Sequence, residues 1–388
     1  MTIFALVTMF MTRMFGLFLL FPVFMISARD YPAYSPLLAG LAIGAYGLTQ
    51  ALFQVPYGAL SDRYGRKLVL GIGFFIFSLG SFIGVYATTM YHLLIARIVQ
   101  GCGAVSAIIL ALASDSTSAN HRPLVFLFFG LSIGFAFIIS LSVAPLLVSH
   151  IGLSGIFLIT AILSLVCIFL LFCVNSNPSN SMEETIAMPQ IEENSYKQSF
   201  HSACISIAFL HGLLTIIFTR VPVVLLDMYH IPLTNHTYVY LAVLVVSTFP
   251  VYAIIRKPVL LAHWRKVLFS SLGIFVLTVP VLLLGTFSFN WYCLFLVVFF
   301  TGFSLLEGFL PHISVQVIPK SKRGALLGVY STCQFFGAFI GGVLGGLGSH
   351  YLSIHQFTFG LFVLLFIWLF VLLLINNLGR VKLRLLRG

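Results

Sequence analysis

Twelve unbroken apolar runs, each about the length a helix needs to cross a bilayer, govern what this chain can fold into. They cover residues 3–26, 37–60, 67–87, 90–114, 123–148, 152–174, 200–226, 236–256, 265–286, 290–315, 324–348 and 354–376. A backbone immersed in hydrocarbon must satisfy its own polar groups, so runs of this kind become helices; the alternating segments of a membrane β-barrel are not what the sequence shows. Only 7% of the 388 residues are charged and 60% are hydrophobic, whereas a soluble domain carries about 25% charged residues. The expected fold class is therefore all-α and polytopic, with twelve transmembrane helices. The first run carries Arg13 and lacks a basic leader, so it is expected to be a retained span and not a signal peptide.

The net charge of +11 does not indicate nucleic acid, because the basic residues gather at the ends of apolar runs. On one side fall Arg63, Arg66, Lys67, Arg122, Lys197, Arg256, Lys257, Arg265, Lys266, Lys320, Lys322, Arg323, Arg380, Lys382, Arg384 and Arg387, sixteen of the twenty. The opposite side has Arg29, and Arg13, Arg97 and Arg220 lie inside spans. By the positive-inside rule both termini are cytoplasmic. Residues 175–199, rich in Asn, Ser and Glu, form a solvated cytoplasmic linker between an N-terminal six-helix bundle (1–174) and a C-terminal one (200–377), followed by a basic tail (378–388). The six cysteines stand singly in apolar runs, which points to neither a metal cage nor a disulfide framework. No metal, cofactor or nucleic-acid partner is expected, and a functional monomer is.

Between the second and third runs lies an island of charge, Gly58 to Lys67, which reads as a short exposed turn. Asp62 ends the preceding helix, where its carboxylate faces the negative helix end and calls for a cation from elsewhere. The spacing G-x-L-S-D-R-x-G-R-K resembles the signature loop of the major facilitator superfamily of secondary transporters. Run four, from Leu93 to Ala104, is similar to that family's fourth-helix motif, with Arg97 and its glycines. Three further segments resemble the YajR-type branch of bacterial inner-membrane, drug:proton-antiporter-like proteins: Arg13 to Phe18, Tyr46 to Gly58, and Leu306 to Pro311 with Gly328 to Phe335. The chain departs from that pattern in three places. Ala144-Pro145 stands where the antiporter signature has Gly-Pro, the second signature loop survives only as a basic stretch from Arg256 to Lys266, and the soluble C-terminal domain some members carry is not expected.

The resemblance implies two pseudo-symmetric six-helix bundles of inverted repeats that rock about a site at mid-membrane. It assigns a conformational switch to Gly58, Asp62, Arg63, Gly65, Arg66, Lys67 and Asp115. Asp62 would latch onto the start of run eleven, near Lys320, Lys322 and Arg323, and Arg63 or Arg66 would pair with Asp115. Charges inside spans are costly and mark function. Glu307 is the one carboxylate within a span, hence the candidate proton-coupling site, with a fixed pairing to Arg13 or Arg97 as the structural alternative. Arg220 and Asp227, seven residues apart, read as a pair near the outer surface. Tyr46, Gln50 and Gln54 on run two, and Tyr330 and Gln334 on run eleven, recur at helical spacing and are candidate substrate contacts or helix–helix hydrogen bonds. His211, His312 and His350 are given hydrogen bonding only. Run eleven is dense in glycine from Gly324 to Gly348, which suits tight packing or a sliding contact in equal measure.

These features make the expected function secondary active transport of small molecules by alternating access, as a proton-coupled exporter of amphipathic compounds in a bacterial inner membrane. Arginines without acids in the N-terminal spans favour neutral or anionic substrates. The alternatives are a facilitator or symporter-type importer of sugars or organic acids, and a non-transporting membrane receptor. An enzyme is not expected, since the spans offer one carboxylate and no convergent acid, base and metal groups.

Overall fold

The computed structural model describes residues 2–118, 121–174, 193–256, 264–317 and 323–385. These residues form α-helices α1 (Thr2–Phe18), α2 (Phe24–Ser27), α3 (Pro36–Tyr64), α4 (Arg66–Val85), α5 (Met90–Cys102), α6 (Ser106–Asp115) and α7 (Arg122–Leu170). After the linker come α8 (Glu193–Asp227), α9 (His236–Ile255), α10 (Trp264–Leu284), α11 (Phe289–Val317), α12 (Arg323–Tyr351) and α13 (Ile354–Leu385). Ten stretches among the described residues are long and apolar enough to cross a membrane. One of them, Leu124–Cys173, holds two spans that turn over at Gly152, whose φ of 66° only glycine adopts freely. With the shorter apolar α1, the twelve expected helices are accounted for.

Five expected boundaries shift. The island 58–67 is not an extended turn: α3 continues to Tyr64, α4 begins at Arg66, and Gly65 alone reverses the chain at φ 93°, its N–H bonded to the Ser61 carbonyl. Run one breaks after Phe18 into turns at 19–23 before the short α2. Run four breaks between Cys102 and Ser106, because Gly101 and Gly103 bring its backbone against neighbouring helices: a Cβ at Gly101 would lie 2.4 Å from the Tyr46 carbonyl, and one at Gly103 2.5 Å from that of Gly73. Helix α8 starts at Glu193, within the expected linker, and α13 runs on to Leu385 through the basic tail, whose Leu, Lys and Arg are good helix formers. The linker residues 175–192 lie outside the described residues, as do Lys257, Lys320 and Lys322.

Helices α1, α4 and α5 pack with α3 and α7 in one group, and α8, α10, α11 and α13 in another. The groups meet along α3 with α12, α7 with α9, and α2 with α8. At the α3–α12 seam the backbones touch: a Cβ on Gly40 would lie 2.4 Å from the Gly342 carbonyl oxygen, and one on Gly44 2.8 Å from that of Phe339. The opposite side of α12 is equally close to α8, with Gly337 against Ala208 and Gly341 against Gly212. Both contacts follow the small-residue rule for helix approach in lipid. They occupy the end of the bundle holding Pro36 and Tyr351. Toward Asp62 this close approach ends: a Cβ at Gly58 or Gly328 would meet nothing within 4 Å, so that among the described residues the end is open at these positions.

Candidate functional site

Two polar networks face each other midway along the bundle. In the first, Arg13 of α1, 2% exposed, donates from Nη2 to the Tyr46 hydroxyl at 2.9 Å and to Gln50 Oε1, and from Nη1 to Ser106 Oγ. Gln50 in turn donates to Gln54 Oε1 at 3.0 Å. The break between α5 and α6 makes this geometry, since it places Ser106 at the first position of α6. Arg97 of α5 lies 4.6 Å above the Tyr46 ring and donates to Gln100 Oε1 at 2.8 Å. Thr49 anchors the crossing by donating to the Ile98 carbonyl at 3.0 Å.

The second network joins three helices of the other group. Glu307 Oε2 of α11 is 2.9 Å from His211 Nε2 of α8, and Gln334 of α12 lies 2.8 Å from the same ring nitrogen and 3.4 Å from Glu307 Oε1. One imidazole nitrogen therefore meets both a carboxylate oxygen and an amide, so which of them it bonds depends on where a single proton sits. The networks come together where the Tyr46 ring meets that of Phe335, next to Gln334, at 6.5 Å.

Toward Arg29 the space above the networks is filled by rings from both groups. Phe21 stacks on Phe218 at 5.5 Å, and Phe137 stacks on Phe303 at 6.1 Å. Beyond them Arg29 donates to both Asp227 oxygens, at 3.0 and 2.8 Å. The Asp227 carboxylate raises the Arg29 guanidinium above its ordinary value, which keeps the pair ionised. At the far end Arg66 bonds Asp115 and lies 3.3 Å from Asp62, so two carboxylates offset a cation placed at the positive start of α4.

Several expectations meet this geometry differently. Of Arg63 and Arg66, it is Arg66 that takes Asp115. Asp62 contacts Arg66; its expected partners Lys320, Lys322 and the side chain of Arg323 lie outside the described residues. Glu307 is not paired with Arg13 or Arg97, which belong to the other group of helices, and bonds His211 instead. Arg220 does not pair with Asp227 either. Two helical turns separate them by about 10 Å along the axis; Arg220 Nε donates to the Leu283 carbonyl at 3.1 Å, while Arg29 reaches Asp227 head-on. Tyr46, Gln50 and Gln54 are buried and Tyr330 is 5% exposed, its hydroxyl without a partner. Sequence reasoning assigns His211 hydrogen bonding only and Arg29 an outward placement only; their acidic partners, Glu307 and Asp227, are what the structure adds. The signal available for His211 was its position: a histidine within an apolar run, in a chain with one carboxylate inside a span.

A helical bundle with polar groups at mid-depth, backbone-tight at one end and parted at the other, is built as a membrane transporter. A family model described as Major Facilitator Superfamily matches residues 3–342. The inner membrane transport protein YajR of Escherichia coli (strain K12) is 33% identical over 356 residues, 87% of this chain and 75% of that protein. An uncharacterized transporter of Buchnera aphidicola subsp. Baizongia pistaciae is 30% identical over 371 residues, covering 92% of each. The class H tetracycline resistance protein of Pasteurella multocida is 32% identical over a shorter stretch of 127 residues, 32% of each. Among solved structures, a bacterial homolog to the human lysosomal transporter Spinster, inward-facing and unoccupied, matches with a TM-score of 0.70 at 14% identity over 90% of this chain and 82% of that one, a likeness of fold alone. The chain belongs to the major facilitator superfamily.

Proposed function

We propose that this transporter is a proton-coupled exporter of amphipathic small molecules, with Glu307 and His211 as the coupling pair. The observation that carries the reading is the hydrogen-bonded group of Glu307, His211 and Gln334: the one carboxylate in the interior of a span among the described residues meets a histidine ring nitrogen, at the depth where the halves of the chain meet. Protonation of the pair changes the charge exposed to the central space, and such a change biases one of two packings. The distribution of Lys and Arg supports placing the Asp62 end in the cytoplasm. In that orientation the bundle is sealed outward and parted inward. Export is favoured by the partial similarity to a tetracycline resistance protein.

The test is flux in proteoliposomes under an imposed pH gradient, read with a panel of labelled amphipathic dyes. Wild type is expected to move at least one dye with the gradient, Glu307→Gln to lose the gradient dependence, and His211→Gln to weaken it. Gradient-driven movement that survives Glu307→Gln unchanged overturns the assignment.

A further inference from the structure

Arg13 and Arg97 are 2% and 1% exposed, and they bracket one aromatic ring, Arg13 on the Tyr46 hydroxyl and Arg97 on its face. Every hydrogen-bond partner they have is neutral: Ser106, Tyr46 and Gln50 for the first, Gln100 for the second. The Nε atoms of both guanidiniums and Nε2 of Gln54 are buried without a partner. None of the ion pairs among the described residues includes either arginine, and the span carboxylate Glu307 is held by His211 across the interface. Two buried cations without an anion are a standing electrostatic cost in a low-dielectric interior.

We propose that Arg13 and Arg97, with Tyr46 between them, receive the acid group of the substrate, and that the cargo class is amphipathic organic anions, carboxylates or sulfonates. Planar guanidiniums bind such groups through paired, charge-assisted hydrogen bonds. Gln50 Oε1 occupies the position on Arg13 that an acid oxygen takes, and its amide already leans on Gln54, so rotation about the Gln50 side chain clears the place. The rings of Phe77 and Phe335, each 6.5 Å from Tyr46 and both buried, make the surroundings of the acid apolar. The alternative role, arginines as braces between helices, needs no ligand and predicts no preference for charge.

This inference deepens the transport reading and rests on it, but its test uses no gradient, so its failure leaves the Glu307→Gln flux result standing. The full chain in zwitterionic-lipid nanodiscs, blanked against empty discs, is titrated with one naphthyl scaffold carrying a carboxylate, a sulfonate, a primary amide or an ammonium group. Carboxylate and sulfonate are expected to bind about tenfold or more tighter than the amide. Arg13→Gln and Arg97→Gln should each erase that preference by weakening the anions alone, and Arg13→Lys should retain part of it. Equal affinity for acid and amide, stronger binding of the ammonium, no binding by any member, or a preference that persists in both glutamine variants overturns the proposal. If the variants fail to fold, the wild-type acid-to-amide ratio decides it.

Discussion

Arg29 and Asp227 come from opposite halves of the chain and meet through two parallel hydrogen bonds at the sealed end. Both are partly exposed, at 34% and 45%, so the pair contributes no more than about 1 kcal/mol to holding that end shut, roughly a fivefold bias between two packings. Asp227→Asn is expected to raise maleimide labelling of a single cysteine placed at Val23, which is fully buried in this conformer. The exchanged pair Arg29→Asp with Asp227→Arg should return labelling to its original level; labelling that ignores both changes would show that the bridge holds nothing. The pair was not legible in the sequence, because its members are 198 positions apart and a nearer cation, Arg220, presented itself. Glu307 was legible for a plain reason: a lone carboxylate in an apolar run is costly enough to stand out. Its partner depended on how three helices meet, which no spacing encodes.

Helix number and approximate limits could be read from hydropathy, since a helix in lipid has little choice about where its apolar stretch begins and ends. What hydropathy missed were interruptions inside a span. The break around Gly103 follows from contacts between backbones, not from any change in polarity; the break after Phe18 lies in an equally apolar stretch. The glycines of run eleven suggested close approach, and the structure gives it two faces, one on α3 and one on α8. A side chain at the α3 seam is therefore incompatible with the sealed end. Gly44→Leu places its Cβ 2.8 Å from the Phe339 carbonyl oxygen, and overpacking of this kind costs about 1–3 kcal/mol. The expected outcome is a lower Tm and a population moved toward the outwardly parted arrangement. An unchanged Tm and unchanged accessibility would mean that the seam yields more readily than its distances imply.

For the molecule as a whole, two spin-label pairs report on rocking. Leu60 with Val329 lies at the parted end and Leu38 with Tyr351 at the sealed end; the first distance is expected to shorten and the second to lengthen when the central pair gives up its proton. Asp62→Asn removes the carboxylate proposed to latch the start of α12, and should leave the first distance long and transport low, with membrane insertion intact. Normal transport by that variant would remove the latch.

The aromatic layer at Phe21, Phe218, Phe137 and Phe303 has an electrical consequence. If the Asp62 end faces the cytoplasm, as the Lys and Arg distribution proposes, those rings lie on the outer side of Glu307 and part of the resting voltage falls across them. If Glu307 is the coupling site, a proton carried there by the rocking of the halves is moved through that part of the field, a full crossing being worth about 2.3 kcal/mol for each 100 mV. Turnover in polarised vesicles would then respond to voltage as well as to acidity.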